Sequence, residues 1–508
     1  MSEQLAELFD ELPTNLGGHM LLALAALVVG LIISVPLGVF VSRRPKLGEW
    51  ALGFASVVQT IPSLALLALM VPLLGGMIGF LPAFLAMTLY SILPILANTI
   101  IGIRGVDPTL IEAASGVGMS KRQMLFRVQL PLASPVIISG IRTATVLVVG
   151  TATLATPVGE TTLGNYIFQG LNTRDNVATI FGCFFAALLA LVLDQLVRLL
   201  EQAARRRSRA RAAVAVAGLV VVIVGCLYAP LTRLVNPPPN LVIVGSADYT
   251  EQHILTEVLK ARLERCGFSV DQRRGMGESI EWMSLCSGNI DCYVDYSGNI
   301  WATVMKRKDP PADRKSALEE IDRYLREQHG VVCLGGLGFE NAYALAMPRR
   351  RAEELKIATI DDLKGYSAQW KIGGDLQFFG RPEWLKVRDT YGLQFPRDRI
   401  KPMDPDLMYP ALASGEVDVI CAYTSDGRIK ADDLLVLADP RHAFPPYDAI
   451  LMVSAKAAAR PGFVEALRPL VQSIDVETMR EANGAVAVQK RRPRQVGREL
   501  AARLESRM

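Results

Sequence analysis

The stretch EAASGVGMSKRQMLFRVQLP, residues 112–131, is amphipathic and basic, and it interrupts a sequence that is strongly apolar on both sides. Around it run six apolar segments, at residues 20–41, 52–74, 78–103, 132–155, 177–193 and 212–231. Each comes near the ~20 residues that cross a hydrocarbon core. Buried helices of a soluble protein are a poor match for runs this long with so few charges. Six transmembrane helices are therefore expected, with residues 112–131 as a loop between the third and fourth.

Lysine and arginine set the orientation. Arg43, Arg44 and Lys46 follow the first run. Arg104, Lys121, Arg122 and Arg127 lie between the third and fourth, and Arg198, Arg205, Arg206, Arg207, Arg209 and Arg211 between the fifth and sixth. The opposite loops are nearly free of Lys and Arg apart from Arg174. The positive-inside rule puts the three basic loops in the cytoplasm and the N-terminus outside. The N-terminal segment carries Glu3, Glu7, Asp10 and Glu11 without Lys or Arg, so it does not read as a signal peptide.

Within the loop, Glu112, Ala113 and Ala114 are expected to start a short helix, Gly118 to permit a turn or close approach, and Leu130-Pro131 to end the helix before the next span. Met124, Leu125 and Val128 form an apolar stripe with Lys121, Arg122 and Arg127 around it. Such a helix suits a groove on a partner. A solvated loop helix has the same pattern, and periodicity alone leaves both open.

The chain is 508 residues long, enough for more than one domain. Hydrophobic residues make up 51% and charged residues 20%, a mixture that suggests an apolar half joined to a soluble one. A net charge of +4 does not call for a nucleic-acid partner, and no basic patch interleaves with aromatics. After Pro237-Pro238-Pro239, a stiff run suited to an extended linker, the composition becomes mixed α/β. The expected division is a membrane domain at 1–211 with five spans, a sixth span and proline linker at 212–239, and an outer domain at 240–508.

Glu112-Ala113-Ala114, Gly118, Val128 and Leu130-Pro131, at this spacing, resemble the EAA loop of ABC importer permeases, with Val128 at the usual isoleucine. The resemblance implies that this loop is the coupling helix seated in a cleft of the ATPase subunit. The chain has no G-x-x-x-x-G-K-[ST] phosphate loop, so a separate ATPase is implied, with two copies of each subunit. Gln59-Thr60-Ile61-Pro62-Ser63-Leu64 and Thr162-Leu163-Gly164-Asn165-Tyr166-Ile167 resemble permeases for glycine betaine and related osmoprotectants. Arg142, inside the fourth span, is costly in lipid and should face protein or water. A structural pairing, with a carbonyl or Asp194, is preferred over a role in the substrate path.

In the outer half, 241–244 reads as a strand and 252–263 as a helix capped by Thr250. Strand–helix alternation continues through Ile372, 417–422 and 450–453. The strands 343–347 and 449–453 are expected to be the two crossings of a hinge. The lobes would then be 240–342 with 451–508, and 343–450, with a ligand cleft between them. Tyr296, Tyr343, Tyr423 and Tyr447 are the chemical clue. A trimethylammonium group makes no conventional hydrogen bond, but aromatic faces hold it at about 0.5–2 kcal/mol per ring. From spacing alone, core packing is the favoured role for these rings.

The segments that carry them resemble the binding proteins for glycine betaine, choline, carnitine and proline betaine, which close a tyrosine cage over the cation. The resemblance implies cage roles for Tyr296, Tyr343, Tyr423 and Tyr447. It implies positions near the ligand for Gln252, Ser279 and Asn341, and a contribution from the second lobe by Arg381, to a ligand carboxylate or between the lobes. Met276 stands where some relatives have a further tyrosine, and Glu278 replaces a small polar residue.

Catalysis finds no support. His19, His253, His329 and His442 have no metal-ligand spacing, no G-x-S-x-G elbow occurs, and no cofactor is called for. The outer five cysteines are an odd number, so at least one stays free in the monomer. The implied whole is an α-helical permease of six spans followed by a two-lobed α/β periplasmic-binding-protein-like domain. It would be a plasma-membrane importer subunit for quaternary ammonium osmoprotectants, meeting membrane lipid and a small cationic or zwitterionic solute. The alternatives are an importer for another small solute, such as an amino-acid derivative, and a membrane-anchored solute sensor.

Overall fold

The computed structural model describes residues 2–173, 175–235, 238–247, 249–307, 314–403 and 405–507. Arg174 and Pro237 lie outside the described residues. The chain divides into two compact units, Met1–Pro239 with Arg273–Ser284, and Asn240–Gln272 with Leu285–Met508.

The first unit is helical. Among the described residues, five helices are long and apolar enough to cross a membrane: Leu5–Ser42, Phe80–Arg104, Lys121–Val158, Asn176–Arg206 and Arg209–Thr232. The remaining apolar run, 52–74, is not one helix. It is the pair Pro45–Thr60 and Ser63–Leu73, bent by 98°. The cause is Pro62, which forces Ile61 into an extended conformation (φ −69°, ψ 127°) and ends the first helix. The Tyr90 hydroxyl donates to the freed Ile61 carbonyl, and Gln59 Nε2 donates to the Tyr90 carbonyl at 3.3 Å. The Gln59–Leu64 motif therefore marks a braced corner.

Small residues let these helices approach closely. A Cβ built on Gly140 would stand 2.6 Å from Asn98 Cβ and 2.7 Å from the Pro94 carbonyl oxygen. The Thr162–Ile167 motif is also structural. Asn165 Oδ1 accepts from Thr162 N–H at 3.1 Å and from Thr156 Oγ1 at 2.8 Å. His19 donates from Nε2 to the Val149 carbonyl at 3.0 Å and accepts the Leu163 N–H on Nδ1 at 3.4 Å, one neutral tautomer serving both. Arg142 is paired as preferred, with Nε 2.6 Å from Asp194 Oδ1 and a second bond of 3.1 Å to Oδ2.

After the proline run the described residues form ten strands in two mixed sheets: β1 (Leu241–Ala247), β2 (Ser269–Met276), β3 (Cys292–Tyr296), β4 (Val332–Glu340), β5 (Tyr343–Pro348), β6 (Ile372–Gly374), β7 (Ile400–Pro402), β8 (Val419–Tyr423), β9 (Leu434–Val436) and β10 (Asp448–Val453). The sheet orders are β2-β1-β3-β10-β4 and β7-β6-β8-β5-β9. Each sheet anchors one lobe with its own apolar core. The chain passes between lobes twice, at Asn341-Ala342 and just before Asp448.

This corrects the hinge expectation. Strand β10 is not a crossing. It pairs along its length with β3 and β4, from Ala449 opposite Tyr296 to Val453 opposite Cys292, so 448–450 belong to the first lobe. Strand β5 lies wholly in the second sheet, between β8 and β9. Thr250 is not a cap either. It is the first residue of the helix Thr250–Arg265, which Tyr249 precedes without a side-chain cap. All seven cysteines are free thiols.

Gly140→Val is expected to lower membrane-domain stability by about 1–3 kcal/mol, read as a drop in thermal midpoint in detergent. Gly150→Val, where a Cβ meets nothing within 4 Å, should leave it unchanged.

Candidate functional site

Two places carry the residues singled out from the sequence. The first is the loop at 112–131. Asp107 caps the helix Pro108–Gly116 by accepting the Thr109 N–H at 2.9 Å, so Glu112 lies inside a helix that begins earlier than expected. Gly118, at φ +80°, makes the turn. Ser120 and Gln123 close a capping box on the next helical segment.

Leu130-Pro131 does not end the helix. A π turn over Leu125–Gln129 shifts the register, the Leu130 N–H bonds to the Leu125 carbonyl, and Pro131 falls in the first turn of the continuing helix Leu130–Ala152. A proline there breaks no further hydrogen bond.

The apolar stripe is also placed differently. Met124, Leu125 and Val128 are half-buried, and Leu125 packs against the cluster of Ile103, Ala133 and Ile137. The exposed apolar side chains of the loop are Leu110, Val117 and Phe126, with Val117 75% exposed. Glu112 and Ala113 are exposed beside them, and Ala114 is buried. A hydrophobic knuckle outside a basic helix is the surface on offer here.

The second place lies between the lobes of the outer unit. Tyr343 begins β5 and Tyr423 ends β8, directly opposite each other in antiparallel register. Their rings stand 5.0 Å apart at 35°, with the hydroxyls 3.4 Å apart. Tyr447 meets Tyr343 edge-on at 6.4 Å and 78°. Its ring also lies over Gly298, where a Cβ would come within 2.6 Å, so the chain after β3 must carry glycine. Arg381 is half-buried, with its guanidinium carbon 5.7 Å from the Tyr343 ring centre. Phe378 backs Tyr343 at 5.2 Å.

Acidic groups hold the phenols. Tyr447 donates to Glu383 Oε1 at 3.1 Å, and Tyr423 to Asp375 Oδ2 at 3.3 Å. Asp375 Oδ1 caps the helix Leu376–Gly380 through the Phe378 N–H at 2.6 Å. Burial, as the largest cause, raises all three phenols, Tyr343 to about 12. They are neutral rings at neutral pH.

Tyr296 joins no ring pair with these three among the described residues. It ends β3 and donates its hydroxyl to Glu251, a wholly buried carboxylate in the first turn of Thr250–Arg265. Glu251 also accepts from Asn483 Nδ2 at 2.6 Å, from Asn341 Nδ2 at 3.4 Å and from the Ser425 hydroxyl. Gln252 is buried and ties its helix to β3 by donating to the Val294 carbonyl at 2.9 Å. Ser279 is exposed in the helix Glu278–Cys286, and no described hydrogen bond joins it to this network.

The structure thus brings together Tyr343, Tyr423, Tyr447 and Arg381, and connects Tyr296, Gln252 and Asn341 beside them. Sequence reading missed Glu251, Asp375, Glu383, Ser425 and Asn483. Only Glu251 had a local signal, as a carboxylate in the first turn of a helix.

Comparison with known proteins agrees in both halves. Residues 240–502 match the family model for the substrate binding domain of the ABC-type glycine betaine transport system. Residues 22–206 match the binding-protein-dependent transport system inner membrane component. The chain is 30% identical over 489 residues to the ergothioneine transport permease/ergothioneine binding protein EgtU of Helicobacter pylori, covering 93% of this chain and 87% of that one. It is 43% identical over 192 residues to the glycine betaine/carnitine/choline transport system permease protein OpuCB of Bacillus subtilis, covering 38% of this chain and 88% of the relative. A crystal structure of a glycine betaine/carnitine/choline ABC transporter aligns at 24% identity and TM-score 0.49, over 52% of this chain and 98% of that one. These relatives are transport permeases and binding proteins.

Burial raises the Glu251 carboxyl above its usual range, against the pull of its hydrogen bonds. Such a group contributes stability that is complete below its unfolded value of about 4.3 and is lost as pH rises through its folded value. As pH rises above the unfolded value, the outer unit should lose more stability in the wild type than in Glu251→Gln, which does not ionise. Thermal unfolding of both full-length chains over that rise measures the two slopes. A steeper slope in the variant would count against the assignment.

Proposed function

This chain belongs to the ABC-type glycine betaine transport systems, as an importer permease fused to its substrate-binding domain, and we propose that its outer half captures a quaternary ammonium solute between Tyr343, Tyr423 and Tyr447. The observation that carries this reading is the three-ring cluster itself. The rings are neutral and come from both sides of a lobe boundary. A methylated ammonium cannot be held by hydrogen bonds, and aromatic faces are the chemistry that remains. Ergothioneine, glycine betaine, carnitine and choline, the solutes in the relatives' names, share a trimethylammonium group. Arg381, beside the rings, suits the carboxylate that betaines carry. Tyr296 serves the cage from its edge, with Gln252 and Asn341 as further substrate-facing positions.

Permeases of this family place apolar helices in the inner membrane and work with an ATPase subunit. In the proposed arrangement residues 1–211 form the pathway, residues 212–239 hold the sixth span and linker, and 240–508 lie outside the cell. Two chains assemble with a separate ATPase. The ATPase receives the loop through Glu112, Ala113, Ala114 and Gly118, with Val117 and Phe126 as the apolar contact and Leu130-Pro131 carrying the motion into the membrane helix. A receptor tethered to its own permease stays at about mM effective concentration for a short flexible linker. A sensor that moved no solute would have no use for a coupling loop.

Binding and uptake should separate by mutation. Tyr423→Ala is expected to weaken binding of a trimethylammonium betaine to the full-length chain about tenfold, near the energy of one desolvated ring. Val117→Asp should leave that binding intact and abolish ATP-driven uptake in proteoliposomes containing the ATPase. Equal loss of both activities in both variants would contradict the division of labour.

A further inference from the structure

The turn between the helices Asn176–Arg206 and Arg209–Thr232 is Arg205-Arg206-Arg207-Ser208-Arg209-Ala210-Arg211. Arg205, Arg206, Arg207 and Arg209 are exposed. The acids nearest in sequence are already engaged. Asp194 pairs with Arg142 at 2.6 Å. Glu201 lies 2.7 Å from Arg205 Nη2 and 3.8 Å from Arg142 Nη1. Among the described residues Arg206, Arg207, Arg209 and Arg211 have no acidic partner, and the sequence holds no Asp or Glu between Glu201 and Asp248.

The positive-inside rule accounts for the side of the membrane on which these charges lie. It does not ask for so many of them unpaired in one turn. Arg209 and Arg211 also stand in the first turn of their helix, where the helix dipole disfavours a cation. The cluster is therefore kept against a local cost, and an anion from outside the chain would offset it.

The helix that starts here is the least enclosed of the five membrane helices among the described residues. In its most apolar stretch 11% of the residues are buried, against 28–50% in the other four. Packing does little to set its depth, so anchors at the membrane surface must do so. Tyr228, 71% exposed, suits the far end. At 1.5 Å per residue it lies ~28 Å along the helix from Arg209, close to the ~30 Å of a hydrocarbon core. With the tyrosine in one headgroup layer, the arginines fall in the other.

We propose that the Arg206–Arg211 turn binds the phosphate of an anionic phospholipid headgroup and so pins the helix that leads to the outer half. Guanidinium groups suit this ligand because they meet phosphate oxygens with paired N–H donors.

The test is native mass spectrometry of the full-length chain in detergent with equal amounts of phosphatidylglycerol and phosphatidylcholine. Phosphatidylglycerol should be retained at least about fivefold more, the effect of one arginine beside an anionic membrane surface. The triple variant Arg206→Gln, Arg207→Gln, Arg209→Gln should lose that preference with an unchanged unfolding midpoint. Removing three exposed charges from the outer half, by Lys315→Gln, Arg323→Gln and Arg350→Gln, should keep it. No preference in the wild type, or an equal loss in both triple variants, would overturn the proposal. So would displacement of the lipid by an equimolar amount of inorganic phosphate, which would mark a site for a soluble anion. Loss of ATPase binding or of self-association in the Arg206 triple variant, with the lipid preference retained, would assign the turn to a protein partner and overturn it as well.

Discussion

One buried carboxylate organises the outer half. Glu251 sits inside the first lobe and receives hydrogen bonds from the cage residue Tyr296, from Asn341 at the first crossing, from Ser425 just after β8, and from Asn483 near the C-terminus. Asn483 binds the Ser425 carbonyl as well, at 2.9 Å. Four segments distant in sequence are thus fixed to one point at the lobe boundary. Leaving any of these partners out would strand a buried polar group in low dielectric, which is why such a node is satisfied as a whole or not at all. The tyrosines can approach each other without collapsing because the backbone under them is held here.

The membrane half depends on a different constraint. Backbone groups in hydrocarbon must be satisfied locally, so irregular backbone appears only where protein braces it. The bend at Ile61-Pro62 is braced by Tyr90, and the turn before Asn165 by Thr156 and His19. The charge pair of Arg142 and Asp194 obeys the same rule. Sequence motifs that resembled a transport family turn out to be the residues that make these departures from regular helix affordable.

Much of the architecture was legible because its signals are local and repeated. Apolar runs marked the spans, and the fall in hydropathy after residue 237 marked the change of character. The errors came where one local rule met another. Pro62 was hidden by apolar residues on both sides, so a bent pair read as one helix. Pro131 looked like a stop because a proline usually is one, but the π turn before it absorbed the register change. Strand β10 was read as a hinge crossing because its pairing with β3 and β4 is long-range and leaves no local trace. The site divides in the same way. Tyrosines stood out by residue type and by family resemblance. Asn483, 232 residues from Glu251, and Glu383, in an ordinary-looking helix start, carried no signal until the fold joined them to the site.

Fusion of receptor and pathway in one chain makes the ligand's position the decisive fact. The most direct measurement is an experimental structure of the full-length chain with a bound trimethylammonium betaine. The predicted result is a quaternary nitrogen within about 6 Å of the ring centres of Tyr343, Tyr423 and Tyr447, with the carboxylate at Arg381. A ligand seated elsewhere in the outer half, or one whose ammonium meets no aromatic face, would contradict it.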